Sequence, residues 1–429
     1  MTSLISLDRL RFLFNRFGER LWVRPLAVCL LSIAAVFAAK LIDGFKLANL
    51  APAVAQDSVV TLLSLMAASM LVIATFSVAS MVSAYAAASS SATPRSFTLV
   101  LSDDVSQNAL STFVGAFIFS VVALTAVKNA FFDRAGLFVL FVLTVIVFAM
   151  VIVTFVRWVD KIARLGRIGS TIEKVERATE SALIRRLDKP TLGGITISGP
   201  SVSGLAVYAS EIGYVQHIDM AALQRWADDV NAQVVVSALP GTFASPDRVL
   251  AYVSISSGEQ PNFDSTDLIK SFQIGNDRTF EDDPRFGLVA LSEIAARALS
   301  PAVNDPGTAI KVIGTFVRLF SLINEPSVTG NRNQPEYDRI AVPEISVSDM
   351  FDDAFTSIAR DGAGAVEVCV RLQKALNSLE SLGNGEIRKA ARYHRNLALK
   401  RACKVLDIEE DIAIVRGVAN SAESTLNQI

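Results

Sequence analysis

The chain has 429 residues, of which 51% are hydrophobic and only 19% charged. A soluble domain carries about 25% charged residues, so this balance calls for membrane spans, and the apolar runs that supply them all precede Lys161. A net charge of -2 excludes the basic footprint of a nucleic-acid binder, and three scattered cysteines (Cys29, Cys369, Cys403) exclude a disulfide framework. His217 and His394 are too far apart to form an HxxxH pair, so no metal centre and no cofactor is expected.

Residues 1–24 interleave Arg9, Arg11, Arg16, Arg20 and Arg24 with Leu7, Leu10, Phe12, Leu13 and Phe17. This pattern predicts a basic amphipathic helix on the membrane surface, with a charged tail as the alternative. A transmembrane domain over 25–158 follows, with spans at about 25–42, 59–86, 109–127 and 135–158. The second span is rich in alanine and serine, which suits close helix packing; it should end in a serine-rich elbow closed by Thr93-Pro94-Arg95. Lys and Arg cluster before the first span and after the fourth, so both termini are expected in the cytoplasm of a bacterium, with the chain multi-pass in its inner membrane. No span core holds an Asp, Glu, Lys or Arg, which argues against a proton-coupled pump and leaves a hydroxyl-lined pore or an anchor.

Beyond the spans, a helical linker is predicted over 159–193, a small β-rich cytoplasmic unit over 194–262 and a helical cytoplasmic domain over 263–429. The β-rich unit alternates short strands (ITIS, LAVYA, GYVQHI, AQVVVSA, RVLAYVSI) with one helix capped by Asp219. Its order resembles the hammerhead of biotinyl and lipoyl carriers, but no lysine lies between Lys189 and Lys270 to carry such a group. The overall class is therefore a membrane α-helical domain of four transmembrane helices followed by a cytoplasmic α+β region.

In the helical domain, Asp283-Pro284 and Asp305-Pro306 each open a helix, a capping carboxylate preceding proline at the first helical position. One reading is a well-capped helix-turn-helix. The other is an anion site at the second helix start, with Arg297, Ser300, Asn304, Asp305, Thr308 and Lys311 as candidate ligands. Residues 324–342 read as a polar loop, and Ser348-Asp349 as the head of the next helix. A basic helix near 386–406 reads as a solvated face or as a surface for anionic lipid or a partner.

The elbow SSSATPR, the GYVQHID segment, the PGTF turn and above all DPRFGLVALSEIAARALSPAVNDPGTA resemble the bacterial predicted-membrane-protein family catalogued as domain of unknown function 2254. The resemblance covers nearly the whole chain and implies four spans with a cytoplasmic domain; it implies no activity.

The reading placed first is an oligomeric channel with a regulatory cytoplasmic domain, lined by Ser69, Ser77, Ser80 and Ser83 with Arg95 at its inner mouth. Such a pore requires a homo-oligomer in the lipid bilayer. The alternative is a membrane-anchored scaffold or sensor that binds a cytosolic protein partner or a small anion. Catalysis is not expected, because no GxSxG, P-loop or paired metal ligands appear.

Overall fold

The computed structural model describes residues 22–41, 52–91, 93–101, 104–164, 167–197, 204–255, 264–323 and 335–426. The expected surface helix at 1–24 lies outside them, save for its last three positions. The chain forms two compact units, Leu10–Thr171 and one built on Ile172–Ile429.

The first unit holds α1 (Val23–Leu41), α2 (Gln56–Ser91), α3 (Pro94–Leu101), α4 (Asp104–Lys128) and α5 (Arg134–Arg164). α4 is the hub and packs against α1, α2 and α5. The inward seam of α2 runs Val59, Leu63, Met66, Met70, Ala74, Ser77 and Met81, a spacing of three and four that keeps one stripe on a neighbouring helix. Three buried hydroxyls are satisfied within their own helices: Ser111, Ser120 and Thr144 donate to the carbonyls of Gln107, Ala116 and Leu140, each at 2.7 Å. Leu30, Leu31, Val72, Phe76, Ile146, Val153 and Val156 are instead exposed, an apolar exterior suited to lipid.

The elbow after α2 contains a helix start rather than a simple break. Thr93 precedes Pro94 at the first position of α3, and the Thr93 and Ser96 hydroxyls and amides bond each other reciprocally.

In the second unit the order is α6 (Ile168–Asp188), β1 (Gly194–Thr196), β2 (Leu205–Tyr208), β3 (Gly213–Ile218), α7 (Met220–Asp229), β4 (Ala232–Val236), β5 (Phe243–Ala244) and β6 (Val249–Ile255). Then come α8 (Thr266–Ser271), β7 (Phe272–Gly275), α9 (Pro284–Ala298), α10 (Pro306–Ile323), β8 (Tyr337–Val342), α11 (Val347–Asp361), α12 (Val366–Leu382), α13 (Gly385–Val405) and α14 (Glu409–Leu426).

Five strands make one sheet in the order β1-β8-β4-β6-β2, and three make another in the order β5-β3-β7. β8 pairs in parallel with both β1 and β4. This differs from the expected hammerhead and its limits of 194–262: β7 and β8 come from stretches read as helical and as polar loop. The physical reason is burial, since Ile340 and Val342 of β8 are fully covered and fall in the same core as Val234, Leu250 and Val253. Six residues of strand are too short to show against a polar flank.

Helices α9 to α14 form the rest. Asp219, Asp283 and Asn384 cap α7, α9 and α13 through their side chains. The cap of α11 is Ser346, whose hydroxyl accepts from Asp349 N at 3.2 Å; the expected head at Ser348 is two residues too late.

Five described helices are long and apolar enough to cross a membrane: α1, α2, α5, most of α4, and α10. α10 differs from the others in its surroundings. Phe316 meets Phe355 of α11 edge to face at a ring separation of 5.3 Å, and Phe320 packs at a tilt on Phe351 at 4.3 Å. Its polar side is ion-paired to α6, through Lys311–Glu173 at 3.1 Å and Arg318–Glu176 at 2.6 Å.

Candidate functional site

One cluster of charged groups in the second unit surrounds the loop 276–283 that joins β7 to α9. β3 carries an irregularity between Val215 and His217, the kind of local kink that re-aims side chains. Gln216 there donates from Nε2 to the Asp277 carbonyl at 2.7 Å, and His217 Nδ1 lies 2.6 Å from Asp282 Oδ2. One residue on, Asp283 is 3% exposed. Its Oδ1 accepts from Phe286 N at 3.2 Å as the cap of α9, and its Oδ2 accepts from Arg278 Nε at 2.7 Å. Burial pushes the Asp283 carboxyl above the usual range, against the pull of Arg278. Burial likewise raises Glu281, helped by the negative charge of Asp282.

The end of α6 closes this cluster. Arg185 donates to the Glu281 carbonyl. Arg186, 8% exposed, spends one nitrogen on the Pro343 carbonyl at 3.2 Å, while its Nε and Nη1 are buried without a hydrogen-bond partner. Burial lowers the Arg186 pKa to about 10, opposed by the charges of Asp282, Asp283 and Glu344. Guanidinium groups ordinarily keep their charge under all conditions, so a cation is held here with part of its hydrogen-bonding capacity unused and carboxylates near it.

Sequence reasoning found the Asp283 cap but not Arg186. The available signal was the doubled Arg185-Arg186 at a helix end, which looks like ordinary dipole compensation.

The expected anion site at the start of α10 is used internally. Asp305 accepts from Thr308 N at 3.1 Å and from Thr308 Oγ1 at 2.6 Å, and these bonds hold its carboxyl below the usual range. Lys311 reaches Glu173, and Ser300 Oγ donates to the Arg297 carbonyl at 2.7 Å. Arg297 and Asn304 are exposed, and Asn304 adopts φ +49° in the turn before the helix. Replacing Asp305 by alanine should cost about 1 kcal/mol through the lost cap, read as a lowered unfolding midpoint.

The pore candidates do not share one environment. Ser77 is buried in the inward seam and its Oγ lacks a hydrogen-bond partner, Ser69 and Ser80 are half-buried, and Ser83 and Arg95 are exposed. No group of three or more His, Cys, Asp or Glu among the described residues could hold a metal ion.

A second imidazole, His394 of α13, is 2% exposed and lies against the Phe351 and Phe355 rings, with Asp352 at 3.2 Å. Burial is the main cause that lowers its pKa; Asp352 opposes it and Arg401 adds to it. Protons therefore bind preferentially to the unfolded chain as pH falls through the unfolded value of 6.5. Stability contributed here is present above that value and lost below it. The wild-type midpoint should fall relative to that of His394→Leu between about pH 7 and 5, measured by urea unfolding at each pH.

The family of predicted membrane proteins designated DUF2254 matches residues 18–378. Among curated proteins, uncharacterized protein MT1328 of Mycobacterium tuberculosis (strain CDC 1551 / Oshkosh) is 24% identical over 240 residues, covering 54% of this chain and 46% of the relative. Uncharacterized protein Mb1321c of Mycobacterium bovis matches at the same identity and coverage. The chain thus spans about half the length of these relatives. No solved structure matches it. With a family match across most of its length, and apolar helices where the spans were expected, the chain belongs to the DUF2254 family of predicted membrane proteins.

Proposed function

We propose that this protein is a four-span receptor of the bacterial inner membrane, with both termini in the cytoplasm, whose second unit binds a small charged ligand without turning it over. In this reading α10 is a core helix of the cytoplasmic unit, because its aromatic face is covered by α11 and its polar face is ion-paired to α6. The observation that carries the reading is Arg186, a charged group 8% exposed with two nitrogens unpaired. A buried donor without a partner costs about 1–3 kcal/mol, and more when charged, so such an arrangement persists best where a ligand compensates. Arg186 lies in the last turn of α6. Native mass spectrometry of the protein in lipid nanodiscs tests this. A small-molecule adduct lost in Arg186→Met supports the receptor; bare protein that instead retains one stoichiometric cytosolic protein moves the function to a scaffold.

The channel is the second reading, and the small residues among the exposed positions of α2, which also include Leu65, Leu71, Val72, Phe76 and Val82, support it. Ser64, Ala68, Thr75, Ala79, Ser83 and Ala86 are exposed there, whereas α5 exposes Val145, Ile146, Ile152, Val153 and Val156. Small residues let helices of separate copies approach closely in lipid. A ring-sized particle with conductance in planar bilayers would support it, and a monomer in nanodiscs would remove it.

A further inference from the structure

We propose that the outward face of α13 is a docking surface for the anionic headgroups of phospholipid in the bilayer that carries this protein; Arg186 takes no part in it. The face is set by helical periodicity. Ile387, Ala390, Ala391, His394, Ala398 and Ala402 are buried, whereas Lys389, Tyr393, Lys400 and Lys404 are exposed and recur at spacings of four and seven on one stripe. At the helical rise per residue this stripe runs about 22 Å from Lys389 to Lys404.

α13 carries seven Lys and Arg against one acid, Glu386, and the basic groups divide by what they bond. Arg392 is paired to Glu380, Arg388 donates to the Glu380 and Gly383 carbonyls at 3.4 Å, and Arg401 donates to the Thr356 carbonyl at 3.1 Å. Lys389, Lys400 and Lys404 make no ion pair or side-chain hydrogen bond among the described residues, not even with Glu409, Glu410 and Asp411 in the first turn of α14. Lys400 and Lys404 stand one turn apart, a like-charge spacing that weakens a helix. A negative surface laid along the stripe turns that repulsion into attraction.

The occupant follows from the chemistry of the stripe. Lysine is depleted at interfaces between proteins, and an ammonium on a flexible stem is a point charge that needs no fixed acceptor geometry. A diffuse field of phosphates therefore suits it better than a shaped partner. Tyr393, 60% exposed within the stripe, is a ring of the kind that sits at headgroup level. α13 exposes only two large hydrophobic residues, Tyr393 and Val405, so the contact is electrostatic, without deep insertion, and is weakened by salt. The apolar helices of the same chain keep lipid at high effective concentration.

The test uses the full chain in nanodiscs of phosphatidylcholine, alone or with phosphatidylglycerol. The photocrosslinker p-benzoylphenylalanine replaces Tyr393, and adducts are read by mass spectrometry. The expected result is a lipid adduct in the anionic discs that fades at high salt and is absent from the neutral ones. Lys389→Gln, Lys400→Gln and Lys404→Gln should lower the ratio of lipid-bound to free α13 by about 5-fold each and about 100-fold together. The unfolding midpoint should not move, since these side chains bond nothing in the fold. Lys389→Arg, Lys400→Arg and Lys404→Arg together should keep the adduct, because the headgroups ask for charge and not for a fitted shape. Were the glutamine variant not to fold, the salt dependence with the lysines in place still decides the matter.

No lipid adduct in the anionic discs, or equal adducts in both kinds of disc, overturns the proposal. So does a protein adduct that replaces the lipid one in whole cell membranes, which assigns the face to an acidic protein partner.

Discussion

Replacing Glu380 by alanine should destabilise the second unit by about 3–5 kcal/mol, the cost of leaving a buried charge without its partner. Glu380 lies on α12 at 1% exposure, accepts a hydrogen bond from Arg392 Nε at 2.7 Å, and is ion-paired with Arg395 Nη1 at 3.2 Å, both from α13. Arg395 is itself 3% exposed. It bridges onward, its Nη1 donating to the Ala419 carbonyl of α14 at 3.4 Å and its own carbonyl accepting from Gln373 at 3.2 Å. Without Glu380 this guanidinium keeps its charge in a site shielded from water. The double replacement Glu380→Leu with Arg395→Met removes both charges and should recover most of the loss, because apolar packing often matches a buried ion pair. Denaturant midpoints of the three variants, with amide exchange read across α12 to α14, check this. Equal losses in the single and double variants would assign the cost to packing volume instead.

Gly241→Ala should be nearly as damaging, at about 3 kcal/mol, from backbone strain and overpacking together. Gly241 stands at φ +93° in the Leu239–Thr242 turn, a conformation that side chains resist. The turn is pinned on both sides, by Gly241 N donating to the Val215 carbonyl at 2.8 Å and Val215 N donating to the Thr242 carbonyl at 2.9 Å. A Cβ added there would meet the carboxylate of Asp283. The substitution therefore acts on the charged cluster as well as on the turn, displacing the group that caps α9 and holds Arg278. A lowered midpoint is the expected signature. An unchanged midpoint would mean that Asp283 can swing aside at no cost, which its bonds to Phe286 and Arg278 oppose.

How much of this was legible in the chain varies with the range of the interaction. The four span-like helices, the strands β1 to β4 and β6, and the caps at Asp219, Asp283 and Asp305 could all be read, because each depends on residues within a turn or two. β8 could not be read, since a short strand in a polar stretch becomes a strand only when β1 and β4 lie on either side of it. The pattern over 263–429 places α10 in a helical region but does not show what packs on it. Its apolar stripe is long enough for a bilayer, and only the rings of Phe351 and Phe355 show what covers it.

The charged cluster divides along the same line. Asp282 and Asp283 attract notice in a linear reading because they adjoin a helix-opening proline. Arg186 lies 96 positions before Asp282, and its role arises because the end of α6 is brought against the β7–α9 loop and Pro343. The sequence by itself determined the apolar helices, their small-residue faces and the helix starts, since these follow from local periodicity and capping chemistry. Tertiary structure alone decided the parallel strand, the rings that cover α10 and the two unpartnered nitrogens of Arg186, since burial and desolvation depend on neighbours that are remote along the chain.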